Sequence, residues 1–181
     1  MVITIIRHAK VQFQWNSLSN SNEYRDACIS YDTSPIIHTV SKERPKLSNN
    51  QSIFISKMQR TYDTANLLFD NPQFKITPLL NEVPLSPFIN TKLKLPLFLW
   101  DICGRLQWYF NCKTQSETRR QTYLRARQAI NLIKKENRDC ILITHAFFML
   151  TLIKVLKRNG FQIHKRNLRI NNLAIITAVS K

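Results

Sequence analysis

Residues 1–10, MVITIIRHAK, decide the fold. Val2 to Ile6 are apolar or β-branched without a break, and they run straight into Arg7-His8 and the small Ala9. A continuous run of this kind marks a strand buried on both faces, as in a parallel sheet covered by helices. In open α/β sheets, ligands bind beyond the carboxyl ends of the strands. An arginine and a histidine at that end of the first strand are therefore placed for chemistry rather than for packing. The pattern returns near the other end of the chain, where Cys140-Ile141-Leu142-Ile143-Thr144 leads into His145-Ala146.

Between these two runs, Gln51–Ser56 forms a short predicted strand, followed by a helix from about Met58 to Phe69 that Asn71-Pro72 ends. Arg60 lies in the first turn of that helix. Phe74–Thr77 is a further strand, leading through Pro78 to Leu80-Asn81-Glu82. Ser116 resembles an N-cap for a helix reaching about Lys135, with Ala126, Ala129, Ile130 and Ile133 as its apolar stripe. An apolar helix from Phe147 to Arg158 stops at Gly160, and Asn172–Val179 is the last strand.

Residues 11–52 read as irregular and polar, with a turn at Lys46–Asn50. Strands alternating with helices predict one α/β domain over residues 1–181, a three-layer α/β/α sandwich around a mostly parallel sheet. Residues 84–115 hold three prolines and an aromatic block in which Leu95, Leu99, Ile102, Leu106 and Tyr109 recur at helical spacing. That block is either a core-packing helix or a lid inserted over a site.

Composition narrows the function. A hydrophobic share of 44% and a charged share of 21% describe an ordinary globular chain. The 27 Lys+Arg against 11 Asp+Glu give a net charge of +16, which draws in anions such as phosphoesters, nucleic acid or an acidic membrane surface. Only two glycines are present, which excludes a Gly-rich phosphate loop. A bound phosphate must then be held by side chains and helix N-termini. The four cysteines lack metal-ligand spacing and suggest a reducing compartment. No leader and no membrane span is read in the sequence, so a cytoplasmic chain is expected.

Arg7, His8, Arg60 and His145 all fall at one edge of the predicted sheet. Their imidazoles are expected to meet there, flanked by guanidiniums, around a pocket for a tetrahedral oxyanion. Guanidinium forks match a phosphoryl group bidentately, and a neutral imidazole is a competent nucleophile toward phosphorus. Fixed cations can then do the work of a metal ion, so neither metal nor cofactor is expected. A leaving alkoxide needs a proton, and carboxylates are scarce. Glu82, just past a strand and a proline, is the first choice, its pKa expected to be raised by aromatic neighbours. Asp101 in the aromatic block is the second.

These elements resemble the histidine phosphatase superfamily, also called phosphoglycerate mutase-like. The strand-Arg-His-Gly opening is matched by Ile5-Ile6-Arg7-His8-Ala9, with alanine where glycine is usual. The Ser-Pro-Leu-x-Arg-Ala-x-x-Thr-Ala segment is matched in register at Ser56, Arg60, Thr64 and Ala65. Leu80-Asn81-Glu82 stands for Leu-x-Glu, and Ile143-Thr144-His145-Ala146 for the closing strand-Thr/Ser-His-Gly/Ala element.

The resemblance implies a metal-independent phosphatase in which His8 is phosphorylated and then hydrolysed. It makes Arg7, Arg60 and His145 the phosphoryl clamp and Glu82 the proton donor, with Ser56 and Thr64 bracing the Arg60 helix. The backbone N–H of Ala146 faces the phosphate in this reading. Asn16 is a further contact, because Trp15-Asn16 echoes a family Trp-Asn that normally stands two residues nearer the histidine. That displaced loop makes mutase activity unexpected. The implied partner is a phosphorylated small molecule or phosphoprotein. Two alternatives remain: a phosphate-binding regulatory relative without turnover, and a basic nucleic-acid-binding module suggested by the Arg, Lys and aromatic mixture near 92–127.

Overall fold

Apolar runs buried on both faces build the centre of the sheet. In the computed structural model, which describes residues 1–38, 51–165 and 170–180, the elements in chain order are as follows. Strand β1 (Val2–Arg7) leads to β2 (Leu18–Ser19) and helix α1 (Ser21–Thr33). Next come β3 (Ser52–Ile55), α2 (Gln59–Leu68), β4 (Phe74–Ile76) and a 3-10 turn at Pro78–Leu80. Then follow β5 (Leu95–Pro96), α3 (Leu97–Tyr109), α4 (Arg119–Lys134) and β6 (Cys140–Thr144). Helix α5 (Ala146–Arg158) and strands β7 (Phe161–Lys165) and β8 (Ile175–Ser180) complete the described chain.

The main sheet has the order β4-β3-β6-β1-β8-β7. Its first four strands are parallel, while β8 runs antiparallel to both β1 and β7. Period two sorts the side chains into two cores. Ile3, Ile5, Phe54 and Leu142 pack with Ala126, Ile130 and Ile133 of α4 and Phe148, Leu152 and Val155 of α5. Ile6, Ile53, Ile55, Ile141 and Ile143 pack on the other face with Ala65 and Leu68 of α2. The molecule is thus α/β, three-layered and mostly parallel, as the alternation of elements predicts.

Several elements differ from expectation. Helix α1 lies in the stretch read as irregular. A capping box starts it: Asn20 Oδ1 accepts from the N–H of Asn22 and Glu23, and Glu23 Oε2 accepts from the N–H of Asn20. Only Ser21 and Tyr24 are buried along it, so no apolar stripe announces it. Helix α4 begins at the Thr118 cap, not at Ser116, because Gln121 closes a capping box with Thr118. Ser116 has Arg119 at the corresponding place. Strand β7 has no counterpart in the expected elements. The turn expected at Lys46–Asn50 lies outside the described residues.

The aromatic block is a helix, but its stripe points the other way. Trp100, Gly104 and Trp108 face inward, whereas Ile102, Leu106 and Tyr109 are exposed. The two indoles bury the larger area and find acceptors, Trp100 Nε1 at Ser19 O (3.0 Å) and Trp108 Nε1 at Thr122 Oγ1 (2.9 Å). Gly104 permits the approach, since a Cβ there would stand 3.2 Å from Leu85 Cδ2.

Candidate active site

Sheet register, not sequence proximity, assembles the site. Arg7 of β1 is paired with Thr144 of β6, and Ile143 of β6 with Ile55 of β3. The residues that follow, His8, His145 and Ser56, therefore emerge side by side from three adjacent parallel strands. The His8 and His145 rings lie 5.0 Å apart between centroids. The C-terminal turn closes the arrangement: Asn172 Nδ2 donates to His8 O at 3.0 Å, and Arg7 Nη1 donates to Ile170 O at 2.8 Å.

Hydrogen bonds fix both tautomers. His8 Nδ1 is 2.7 Å from the Ala9 carbonyl, an acceptor only, so Nδ1 carries the proton and Nε2 keeps its lone pair. In His145, Nδ1 accepts from Arg60 Nε at 3.1 Å, which leaves Nε2–H to donate to Ser56 Oγ at 2.8 Å. Burial, reinforced by the Arg60 guanidinium and then Arg7, pushes the His8 pKa down to about 3, against a smaller upward pull from the Ala9 hydrogen bond. Burial and then Arg60 hold His145 well below the usual histidine range. Both imidazoles are neutral at pH 7.

The arginines surround this pair. Arg60 is held by His145, by Asp32 Oδ1 at 2.9 Å from Nη1, and by the Tyr31 ring 5.1 Å from Cζ. Among the described residues, Arg7 Nε is the buried side-chain nitrogen left without a hydrogen-bond partner. Thr64 Oγ1 accepts from Ala9 N at 2.9 Å and donates to Arg60 O, tying the His8 loop to α2. Ser56 also accepts from Met58 N at the start of α2, so both hydroxyls brace the Arg60 helix as expected.

A cleft of about 1170 Å³ opens over this edge, lined among others by Arg7, Trp15, Arg60, Glu82, Asp101 and Ala146. His8 and His145 do not line it: they are 2% and 0% exposed, beneath the wall rather than in it. The expectation of two imidazoles opening onto a pocket thus holds for their meeting and not for their exposure. His145 also has no N–H turned to the cleft, since its proton goes to Ser56; its other ring nitrogen accepts from Arg60, which does line the cleft. Asn16 is exposed and outside the cleft, which Trp15 lines instead.

Glu82 holds an unforeseen position. Its Oε1 accepts from Phe148 N at 2.9 Å and its Oε2 from Phe147 N at 3.2 Å, so the carboxylate sits on the first turn of α5. Asp101 accepts from Tyr24 Oη at 2.8 Å on the α3 side of the cleft. Among the described residues, no three His, Cys, Asp or Glu side chains gather as a metal-ligand cluster.

Two further cleft arginines escaped sequence reasoning. Arg105 stacks over the Phe147 ring (Cζ 3.7 Å from its centroid) and donates to Val83 O. Arg125 pairs with Glu117 and donates to Leu79 O and Asn81 O, fixing the loop before Glu82. Asp32 and Tyr31 were missed with their helix, for which Asn20-x-x-Glu23 was the readable signal.

The fold has known relatives. A phosphoglycerate mutase from Bacillus anthracis is 16% identical with a TM-score of 0.61, the match covering 97% of this chain and 86% of that one. A phosphoserine phosphatase mutant from Entamoeba histolytica, in complex with phosphoserine, is 16% identical with a TM-score of 0.60, covering 97% and 89%. A mycobacterial glucosyl-3-phosphoglycerate phosphatase is 16% identical with a TM-score of 0.52, covering 99% and 97%. At this identity the likeness speaks to the fold. Among curated proteins, none matches the chain in sequence. The model of the histidine phosphatase superfamily (branch 1) matches residues 3–180, from the strand that presents His8 to the strand that closes the sheet, and the chain belongs to that superfamily.

Proposed function

We propose that this chain is a metal-independent phosphatase that hydrolyses phosphomonoesters through a phosphohistidine on His8. The observation that carries the reading is a neutral His8, its Nδ1–H tied to Ala9 O, beside an arginine whose buried Nε–H finds no acceptor among the described residues. In the proposed first step, His8 Nε2 attacks phosphorus, the ester P–O bond breaks, and Glu82 gives its proton to the leaving alkoxide. Arg7 and Arg60 hold the equatorial oxygens. Water then attacks the phosphohistidine, passes a proton to Glu82, and releases phosphate and neutral His8. The N–H of Ala146, at the start of α5 on the cleft, is a further proposed contact. Nothing in the steps calls for transfer to a second hydroxyl, so hydrolysis rather than mutase chemistry is proposed.

The burial of His8 favours a second reading, a relative that binds phosphate without turning it over. Purified protein with p-nitrophenyl phosphate separates the two. Phosphate release that survives EDTA and disappears in His8→Ala, with an acid-labile phosphoenzyme trapped on rapid quenching, supports the phosphatase. Loss of activity with EDTA, or undiminished activity in His8→Ala, overturns it. Saturable phosphate binding with no release selects the second reading.

A further inference from the structure

Helix α3 is apolar on both sides, and the core uses only one of them. Trp100, Gly104 and Trp108 turn inward. Phe98, Ile102, Leu106, Tyr109 and Phe110 form a continuous outer stripe that is 59, 54, 50, 50 and 70% exposed. Along an α-helix at 1.5 Å per residue, the stripe runs roughly 18 Å. Singly exposed apolar residues are ordinary, but a contiguous stripe of large ones marks an interaction surface.

Cations stand at both ends of it. Lys92 and Lys94 flank Leu93, itself 71% exposed, just before the helix. Lys113 follows it, and Arg119 Cζ lies 4.3 Å from the Tyr109 ring centroid. The nearby carboxylates are engaged: Glu23 with Lys94, Asp101 with Tyr24, and Glu117 with Arg125.

We propose that the outer face of α3 docks on an anionic phospholipid surface. The combination of projecting Phe, Leu, Ile and Tyr side chains with Lys and Arg around them suits the headgroup boundary, where apolar groups enter and cations meet acidic lipids. A second copy of the chain is disfavoured as the occupant, because each copy brings +16 and the same cations to the contact. Helix α3 docks without spanning: among the described residues, no helix is long and apolar enough to cross a membrane. Leu97, Asp101 and Arg105 of the same helix line the cleft, so a docked α3 sets the cleft mouth beside the lipid surface.

The test is co-sedimentation of the whole chain with vesicles of phosphatidylcholine alone and of phosphatidylcholine with phosphatidylglycerol. Binding is expected to the acidic vesicles only, and to be lost in high salt. Phe98→Ser with Leu106→Ser, and separately Lys92→Glu with Lys113→Glu, should each weaken it roughly tenfold or more. Both pairs are exposed and outside the cleft, so thermal melts and hydrolysis of p-nitrophenyl phosphate should stay as in the parent. Absence of binding to acidic vesicles overturns the proposal, as does binding that either pair leaves unchanged. Sedimentation as a dimer that Phe98→Ser with Leu106→Ser makes monomeric overturns it in favour of self-association.

Discussion

His8 and His145 link the site to stability through pH. Both are neutral when folded, with pKa values below the ordinary 6.5, to about 3 for His8. The unfolded chain therefore binds more protons below pH 6.5, and stability falls as pH drops from there until the folded pKa is reached. At ~1.4 kcal/mol per pKa unit, the His8 shift amounts to a loss on the order of 5 kcal/mol over the full range. Urea midpoints should hold steady above pH 7 and fall through pH 6 and 5, with a shallower fall in His8→Asn; parallel slopes in the two proteins would deny His8 this role. The Ser56 hydroxyl, bonded to the His145 ring, gives the second test at this scale. Removing its hydroxyl leaves the fully buried His145 Nε2–H without an acceptor, a cost of about 1–3 kcal/mol. The ring is then free to turn away from Arg60. Ser56→Ala should lower kcat about tenfold with little change in KM, and Ser56→Thr should restore it, which a purely structural loss would not do. Glu82→Gln should slow phosphorylation of His8 by alkyl phosphates by about 10²-fold or more while sparing the nitrophenolate burst from p-nitrophenyl phosphate, whose leaving group needs no proton; the hydrolysis of the phosphoenzyme that follows should slow for both. An equal loss in the burst phase on both substrates would instead assign Glu82 to anchoring α5, and Asp101→Asn would become the variant to compare.

Helix α1 shows how an element without a core stripe still serves the site. It carries Asp32 and Tyr31 to Arg60, and it holds to the body through Tyr24 stacked on Trp100 at 5.3 Å. Its start depends on the capping box, so Asn20→Ala should cost about 1 kcal/mol. For a chain of this size that is roughly 2–4 °C in Tm, and KM should rise as Arg60 loses its outer support. Calorimetry with steady-state kinetics checks both. An unchanged KM alongside a lowered Tm would detach α1 from substrate binding. The same element marks where sequence reading stops. Strands β1, β3 and β6 were legible because burial on both faces demands an unbroken apolar run, and their ends gave Arg7, His8 and His145. Helix α1 buries one tyrosine and leaves no periodic trace. On α3 the two tryptophans outweighed a longer stripe of smaller residues, which is a matter of volume rather than period. Ring tautomers, the Ser56–His145 bond and the arrival of Arg105 and Arg125 in the cleft depend on register between distant segments, which no local pattern records.

At the scale of the whole molecule, the +16 charge is arranged rather than spread. Helices α4 and α5 contain no aspartate or glutamate, and Lys134, Lys154, Lys157 and Arg158 are exposed on them. Arg7, Arg25, Arg60, Arg105 and Arg125 line a cleft whose acidic lining residues are Asp32, Glu82, Asp101 and Glu117. Asp32 and Glu117 pair with Arg60 and Arg125, which leaves Arg7, Arg25 and Arg105 against Glu82 and Asp101. Under the proposed function, a cleft with this positive excess would draw in a dianionic ester before any contact is made. Salt shortens the reach of that field from about 10 Å at 0.1 M to about 3 Å at 1 M. The site's inner contacts, made by nearly buried groups, are screened far less. Raising KCl should therefore increase KM for p-nitrophenyl phosphate several-fold and leave kcat nearly level, so that kcat/KM falls while the chemical step does not. Chloride is the right choice, because added phosphate would compete for the clamp itself. Steady-state kinetics across the salt series decides it: a kcat that falls with KM constant would mean that the charge acts on the transition state and not on capture.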